Sequence, residues 1–265
     1  MADFIIELNR WQFALTLGVF VIVAGLEQLI PQRNERTLRW TRWSANFLLF
    51  AAGFGLVVLI SPALLNAAGW VQRSIGFPTL ISLGLPAWVL VIVSFLIIDL
   101  IGYLSHVLSH QLPWLWRLHR THHSDVVVDA STSIRHHPLE SLVGGAIQIT
   151  AYAILGLPLL VIIAYGLTAA VFQFLHHLDV RAPEPLDRVL RIVFVTPGMH
   201  RLHHSVRMDE GNSNFGVLLS IWDRLFGTYR RRTYEDRLRM PVGVDGFPVG
   251  PGVLGPLIEP FRRQQ

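Results

Sequence analysis

Apolar residues along this chain gather into long runs instead of alternating with polar ones. The first runs from Trp11 to Ile30, close to the ~20 residues a helix needs to cross a hydrocarbon core. Asp3 and Glu7 precede it with only Arg10 positive, and no small-residue cleavage site follows. It therefore reads as a retained helix, not a signal peptide. Ser44–Leu65 forms a second span and Leu80–Leu104 a third. The loop Pro31–Trp43 carries Arg33, Arg36, Arg39 and Arg42 against Glu35, whereas Asn66–Thr79 carries only Arg73. That asymmetry places the first loop in the cytoplasm and returns the third span to the same side.

The fourth run, Leu142–Leu175, is too long for one simple crossing. Gly156-Leu157-Pro158 near its middle permits a turn, which predicts a helical hairpin. Each half is about 25 Å long, slightly short of the ~30 Å hydrocarbon core. Beyond Leu175 the chain is polar and arginine-rich, as a cytoplasmic segment would be. The expected fold is all-α, an integral membrane helical bundle. Its expected parts are N-terminal transmembrane helices over 1–98, a histidine-bearing domain over 99–229 that includes the hairpin 142–175, and an arginine-rich tail over 230–265.

Composition agrees. Of 265 residues, 52% are apolar and 15% charged, against about 25% charged in soluble domains, and the mean hydropathy is +0.45. Every cationic side chain is arginine, and the net charge is only +4. Arg230, Arg231 and Arg232 therefore read as a membrane-flanking cluster, and a nucleic-acid partner is excluded. The absence of cysteine excludes disulfides, thiolate catalysis and iron–sulfur ligation by this chain.

Histidine changes the picture most, because all 12 lie between His106 and His204. Asp99, Tyr103, His106 and His110 are spaced to share one face of a helix. Asp99 stands in apolar sequence near the membrane boundary, where an ionisable group points to a ligand or to a partner that orients one. Pro113 opens a short helix bearing His119, His122 and His123. The same His-x-x-His-His spacing returns at His200, His203 and His204, after Thr196 as N-cap and Pro197 as first helical residue. The doublets His136-His137 and His176-His177 each offer one ligand and one bystander. This many imidazoles exceeds the roughly six ligands of one ion and implies two metals, with iron, zinc, copper and nickel all suited to the donor. Carboxylates are scarce in these motifs, unlike the Glu-x-x-His pattern of four-helix di-iron proteins. The site is expected on the cytoplasmic side of the bundle.

These motifs resemble the fatty acid hydroxylase/sterol desaturase superfamily of integral-membrane di-iron oxygenases over roughly Asp99 to Tyr229. The resemblance rests on His106-x-x-x-His110, His119-x-x-His122-His123, Arg135-His136-His137-Pro138-Leu139-Glu140 and His200-x-x-His203-His204. Asn214-Phe215-Gly216 and Trp222-Asp223-Arg224-Leu225-Phe226-Gly227 match the closing segment. It implies metal ligation by His106, His110, His119, His122, His123, His137, His177, His200, His203 and His204. Asp99, Tyr103, Arg135 and Glu140 would orient those imidazoles. It also implies two iron ions (with zinc as a substitute ion), dioxygen as co-substrate, and hydroxylation or desaturation of a lipid C–H bond. Two positions depart from the pattern, Val107 where arginine is usual and Asp179 where asparagine is usual.

Electrons would come from a separate reductase, ferredoxin-like or cytochrome-like donor. Only ten residues precede the first span, too few for a fused haem or flavin domain there. Two other readings use the same histidines. A metal transporter would place ligands near the bilayer midplane, where the spans before Asp99 offer only Glu27. A zinc-stabilised, non-catalytic membrane protein would close the coordination of its ions.

Overall fold

The computed structural model describes residues 2–29, 38–76, 78–180, 183–246 and 250–262, with side chains from Ala14 onward. Arg33, Glu35 and Arg36 of the expected cytoplasmic loop lie outside the described residues. The longer helices are α1 (Ala2–Leu29), α2 (Arg39–Ile75), α3 (Ala87–Gln111), α4 (Pro113–His123), α5 (Pro138–Leu155), α6 (Leu159–His176), α7 (Glu184–Leu190) and α8 (Pro197–His203). Short helical turns and two isolated bridges complete the described residues, which contain no strand. Four helices, α2, α3, α5 and α6, are long and apolar enough to cross a membrane. The all-α membrane architecture is the expected one.

Two boundaries differ from expectation. The loop expected over Asn66–Thr79 is helical as far as Ile75, because α2 continues through Pro62 and ends only at Gly76. Gly76 adopts φ 66°, and its N–H bonds the Gln72 carbonyl at 3.1 Å, a left-handed cap that glycine takes without strain. At about 55 Å, α2 is longer than a hydrocarbon core. The third span begins later than Leu80. Residues 80–83 form a 3-10 turn, Gly84 is left-handed, and Pro86 caps α3. The hairpin turn falls where expected, with Gly156 at φ 61° between α5 and α6.

The chain packs as two compact units, one comprising 37–125, 134–165 and 244–265, the other 1–36, 126–133 and 166–243. In the first, α2 lies along α5 through small residues. A Cβ on Gly53 would stand 2.6 Å from Ser141 Oγ, and one on Gly145 would stand 2.9 Å from Val57 Cγ2. Such close backbone approach is how helices associate where lipid removes the hydrophobic driving force. Helix α4 is tied in by charge. Arg42 donates to both carboxylate oxygens of Asp125 at 2.8 and 2.7 Å, and Arg120 pairs with Glu259 at 2.5 Å. Burial pushes the Glu259 pKa up, with the Arg120 charge opposing.

The second unit is held by loops. Val128, Leu202, Met240 and Val242 form a buried cluster against α8. Glu27 accepts backbone N–H groups from Ala130 at 3.1 Å and Asp179 at 2.7 Å, which accounts for an acid inside α1. Asp223 accepts from Phe215 N, Gly216 N and Thr228 Oγ1 at 2.7, 2.9 and 2.7 Å and so folds the segment that follows α8.

Candidate metal centre

The first histidine cluster grows from two helices of the first unit. Offsets of 3, 4 and 7 residues bring side chains to one helical face, so α3 presents His106 and His110 together and α4 presents His119 and His123. Ligand atoms of these four all lie within 4.8 Å of one another. His110 Nε2 faces His123 Nε2 at 3.1 Å. His119 Nδ1 bonds Glu140 Oε1 at 2.7 Å from the first turn of α5, while its buried Nε2 has no hydrogen-bond partner among the described residues. A carboxylate acceptor places the ring proton on Nδ1 and leaves an Nε2 lone pair, the state that ligates metal.

His136 also bonds Glu140 Oε1, at 3.0 Å, and stacks on His122 with ring centroids 4.6 Å apart. His137 has another use. Its Nδ1 accepts from Leu139 N at 3.1 Å as the N-cap of α5, and its Nε2 faces the Leu257 carbonyl at 3.3 Å. Burial lowers its pKa. The structure thus does not bring His137 into either cluster. His136, which the family pattern passes over, shares Glu140 with His119; its place just before α5, four residues from Glu140, was the available signal.

The second cluster, in the second unit, is assembled from the end of one helix and from a short helix with its cap. His177 follows α6, and α8 supplies His200 and His203, with His204 as its cap. Thr196 and Pro197 start α8 as expected, the Thr196 hydroxyl accepting from Met199 N at 3.3 Å. His177, His200 and His204 present ligand atoms within 4.8 Å of one another. His200 Nε2 lies 3.0 Å from His177 Nε2 and 3.2 Å from His204 Nε2. His203 flanks them, its ring centroid 5.2 Å from that of His200, and His176 stacks on His200 at 4.1 Å. Backbone carbonyls orient this cluster. Gln173 O takes His177 Nδ1 at 2.7 Å, and Ser213 O takes His203 Nδ1 at 2.8 Å. Burial, and then the neighbouring imidazoles, hold the His200 pKa well below 6.5.

The donor set fits a transition metal. Neutral imidazoles that turn Nε2 atoms toward one another at 3.0–3.2 Å set lone pairs face to face unless protons or a cation lie between them. Both Nδ1 acceptors of the second cluster and the Glu140 acceptor of the first select the Nε2-ligating tautomer.

Of the groups expected to orient ligands, Glu140 bonds an imidazole directly. Asp99 instead accepts the Tyr165 hydroxyl at 2.6 Å. Arg135 donates to Thr121 O at 3.0 Å, Asn46 Oδ1 at 2.9 Å and Ser124 Oγ at 3.2 Å, bracing the end of α4 that bears His122 and His123. Tyr103 is buried in α3. Asp179, at the position where asparagine is usual, pairs with Arg201 at 3.2 Å. The roles of Tyr165, Asn46 and the Ser213 carbonyl had no signal in sequence, since each acts through a contact distant along the chain.

The sequence matches the family profile described as Fatty acid hydroxylase over residues 91–228, just over half of the chain. The chain belongs to that family. Within this fatty acid hydroxylase family, it is 37% identical over 164 residues to the ornithine lipid hydroxylase OlsE of Rhizobium tropici, covering 61% of this chain and 47% of that protein. It is 30% identical over 141 residues to alkylglycerol monooxygenase of Caenorhabditis elegans, covering 52% of this chain and 26% of that protein. It is 30% identical over 143 residues to the same enzyme of Homo sapiens, covering 51% and 29%. The chain thus spans half or less of the length of these curated relatives. No solved structure matches it.

Proposed function

We propose that this fatty acid hydroxylase family member is a membrane-embedded, iron-dependent oxygenase that hydroxylates a C–H bond of a lipid, using dioxygen and electrons from a separate donor. The observation that carries the reading is the convergence of His177 and His204 Nε2 on His200 Nε2, in a chain with four membrane-length apolar helices. The named activities of the relatives, ornithine lipid hydroxylase and alkylglycerol monooxygenase, support a lipid substrate. The proposed ligands are His106, His110, His119, His122, His123, His177, His200, His203 and His204, for two irons facing the cytoplasm. His137 is left out because both its nitrogens are engaged at the start of α5. Residues 99–229 are the proposed catalytic domain.

Iron at these imidazoles supplies dioxygen chemistry strong enough to break an unactivated C–H bond. The chain's own residues do the positioning. Glu140, bonded to His119 Nδ1, fixes that ring and raises its basicity, and the Gln173 and Ser213 carbonyls fix His177 and His203. Burial of the imidazoles keeps water from the reacting centre. The apolar faces of the spanning helices admit a substrate dissolved in lipid.

The test is metal content and product together. Protein purified in detergent from iron-replete cells is expected to hold about two irons per chain and, with reductant, to add oxygen to a membrane lipid extract. One metal or none would break the ligand assignment. About two zincs with no oxygen consumption would support the non-catalytic reading.

A further inference from the structure

Arginine and exposed apolar side chains meet on one face of the second unit, away from any imidazole contact. Helix α7 and the turn after it leave Leu186, Val189 and Ile192 exposed, and the helical turn Ile221–Leu225 leaves Ile221, Leu225 and Phe226 exposed. Ile192 is 63% and Leu225 67% exposed, values a water-facing surface rarely shows in a cluster. Backbone bonds hold the two segments side by side. Ser220 N donates to Val193 O at 2.9 Å, and the Arg224 guanidinium donates to Arg191 O at 2.7 Å.

Beside this apolar face runs a groove of about 630 Å³, lined by Arg188, Arg224, Tyr229, Arg231 and Tyr234 among others. Its acid, Glu184, is already paired with Arg191 and Arg237, and Arg232 is paired with Glu210. Arg224 lies over the Tyr229 ring at 3.9 Å. Arg188 and Arg231 form no ion pair among the described residues and leave the groove cationic.

We propose that this face is a membrane-interface dock, with the apolar side chains entering the acyl boundary and the groove taking the phosphate of an anionic phospholipid. Charge complementarity selects the anion. The apolar rim selects a bilayer over an acidic soluble protein, which would need no row of exposed Leu, Ile and Phe. Tyr229 and Tyr234, amphipathic and beside the arginines, suit the headgroup level. The inference is independent of catalysis.

Because the chain lacks cysteine, a single label reports this face. Leu225→Cys, and separately Ile192→Cys, is labelled with bimane in the full chain and reconstituted in nanodiscs of phosphatidylcholine, with or without phosphatidylglycerol, containing brominated acyl chains. Both labels are expected to be quenched, and more strongly with phosphatidylglycerol. Replacing Arg188 and Arg231 together by Glu is expected to cut the phosphatidylglycerol preference by about tenfold while leaving the detergent-solubilised fold unchanged. Three results would overturn the proposal. One is no quenching at either position. Another is loss of the lipid preference on adding inorganic phosphate alone, which would mark a free-anion site. The third is shielding of both labels from aqueous iodide only when an acidic ferredoxin is added, which would assign the face to a protein.

Discussion

The two histidine clusters reach similar imidazole geometry by opposite means. His106, His110, His119 and His123 ride on α3 and α4, helices of 25 and 11 residues, and a carboxylate orients His119. His177, His200 and His204 sit at the end of α6 and on a seven-residue α8, with backbone carbonyls orienting His177 and the flanking His203 and with loops that Glu27, Asn214 and Asp223 pin. The helical cluster inherits its spacing from the 3.6-residue period. The loop cluster depends on individual polar contacts far apart in sequence. The difference extends to electronics. An anionic acceptor makes His119 a stronger donor than a carbonyl makes His177, so metal ions bound at the two clusters would not be equivalent.

The largest effect should come from the centre of the loop cluster. His200→Ala removes the ring on which His177 and His204 converge and is expected to lower bound metal by about one ion per chain and abolish oxygen consumption. Elemental analysis of the purified variant decides it, and unchanged metal content would end the assignment.

Asp223→Ala tests whether loops carry that cluster. It strands two backbone N–H groups and a hydroxyl, at a cost of about 3 kcal/mol. Thermal unfolding in detergent should show the loss. Hydrogen exchange should show it concentrated over 196–230, with α3 and α4 unaffected. Uniform loss would erase the contrast between the clusters.

Glu140→Gln sharpens the electronic side. It keeps an acceptor for His119 but removes the charge, and metal affinity or activity is expected to fall about 10–100-fold. Gln173→Ala should leave the second cluster intact, because His177 uses the Gln173 backbone carbonyl. Equal losses in the two variants would contradict carboxylate-specific tuning.

The smallest effect is a pH dependence. His200 has its folded pKa held well below 6.5, so the unfolded chain binds a proton more readily as pH falls. The metal-free protein should therefore keep this contribution above about pH 6.5 and lose it below, by at most ~1.4 kcal/mol per pH unit. Denaturant melts at pH 7.5 and 5.5 measure it, and greater stability at the lower pH would reverse the sign.

Hydropathy and spacing made much of this legible. The hairpin turn at Gly156, the opening of α4 at Pro113 and the Thr196-Pro197 cap of α8 all stand where local chemistry puts them. Hydropathy failed at the end of α2. Asn66 to Ile75 reads as a loop, yet it stays helical because no proline follows Pro62 before the left-handed Gly76 ends the helix. The family pattern chose His137 over His136, and the N-cap geometry of α5 turned both nitrogens of His137 away.

Sequence alone therefore determined that the chain is helical, membrane-embedded and rich in imidazole donors at helical spacing, because run length, turn residues and periodicity are local properties. Only the tertiary structure decided which ring nitrogens face inward and which acceptors fix His119, His177 and His203. It also decided that Asp99 serves Tyr165 and that Glu27 serves two backbone amides. Those outcomes depend on partners as far as 152 residues apart. A buried polar group takes whichever complementary atom the packed chain brings within about 3 Å, and no local pattern encodes that choice.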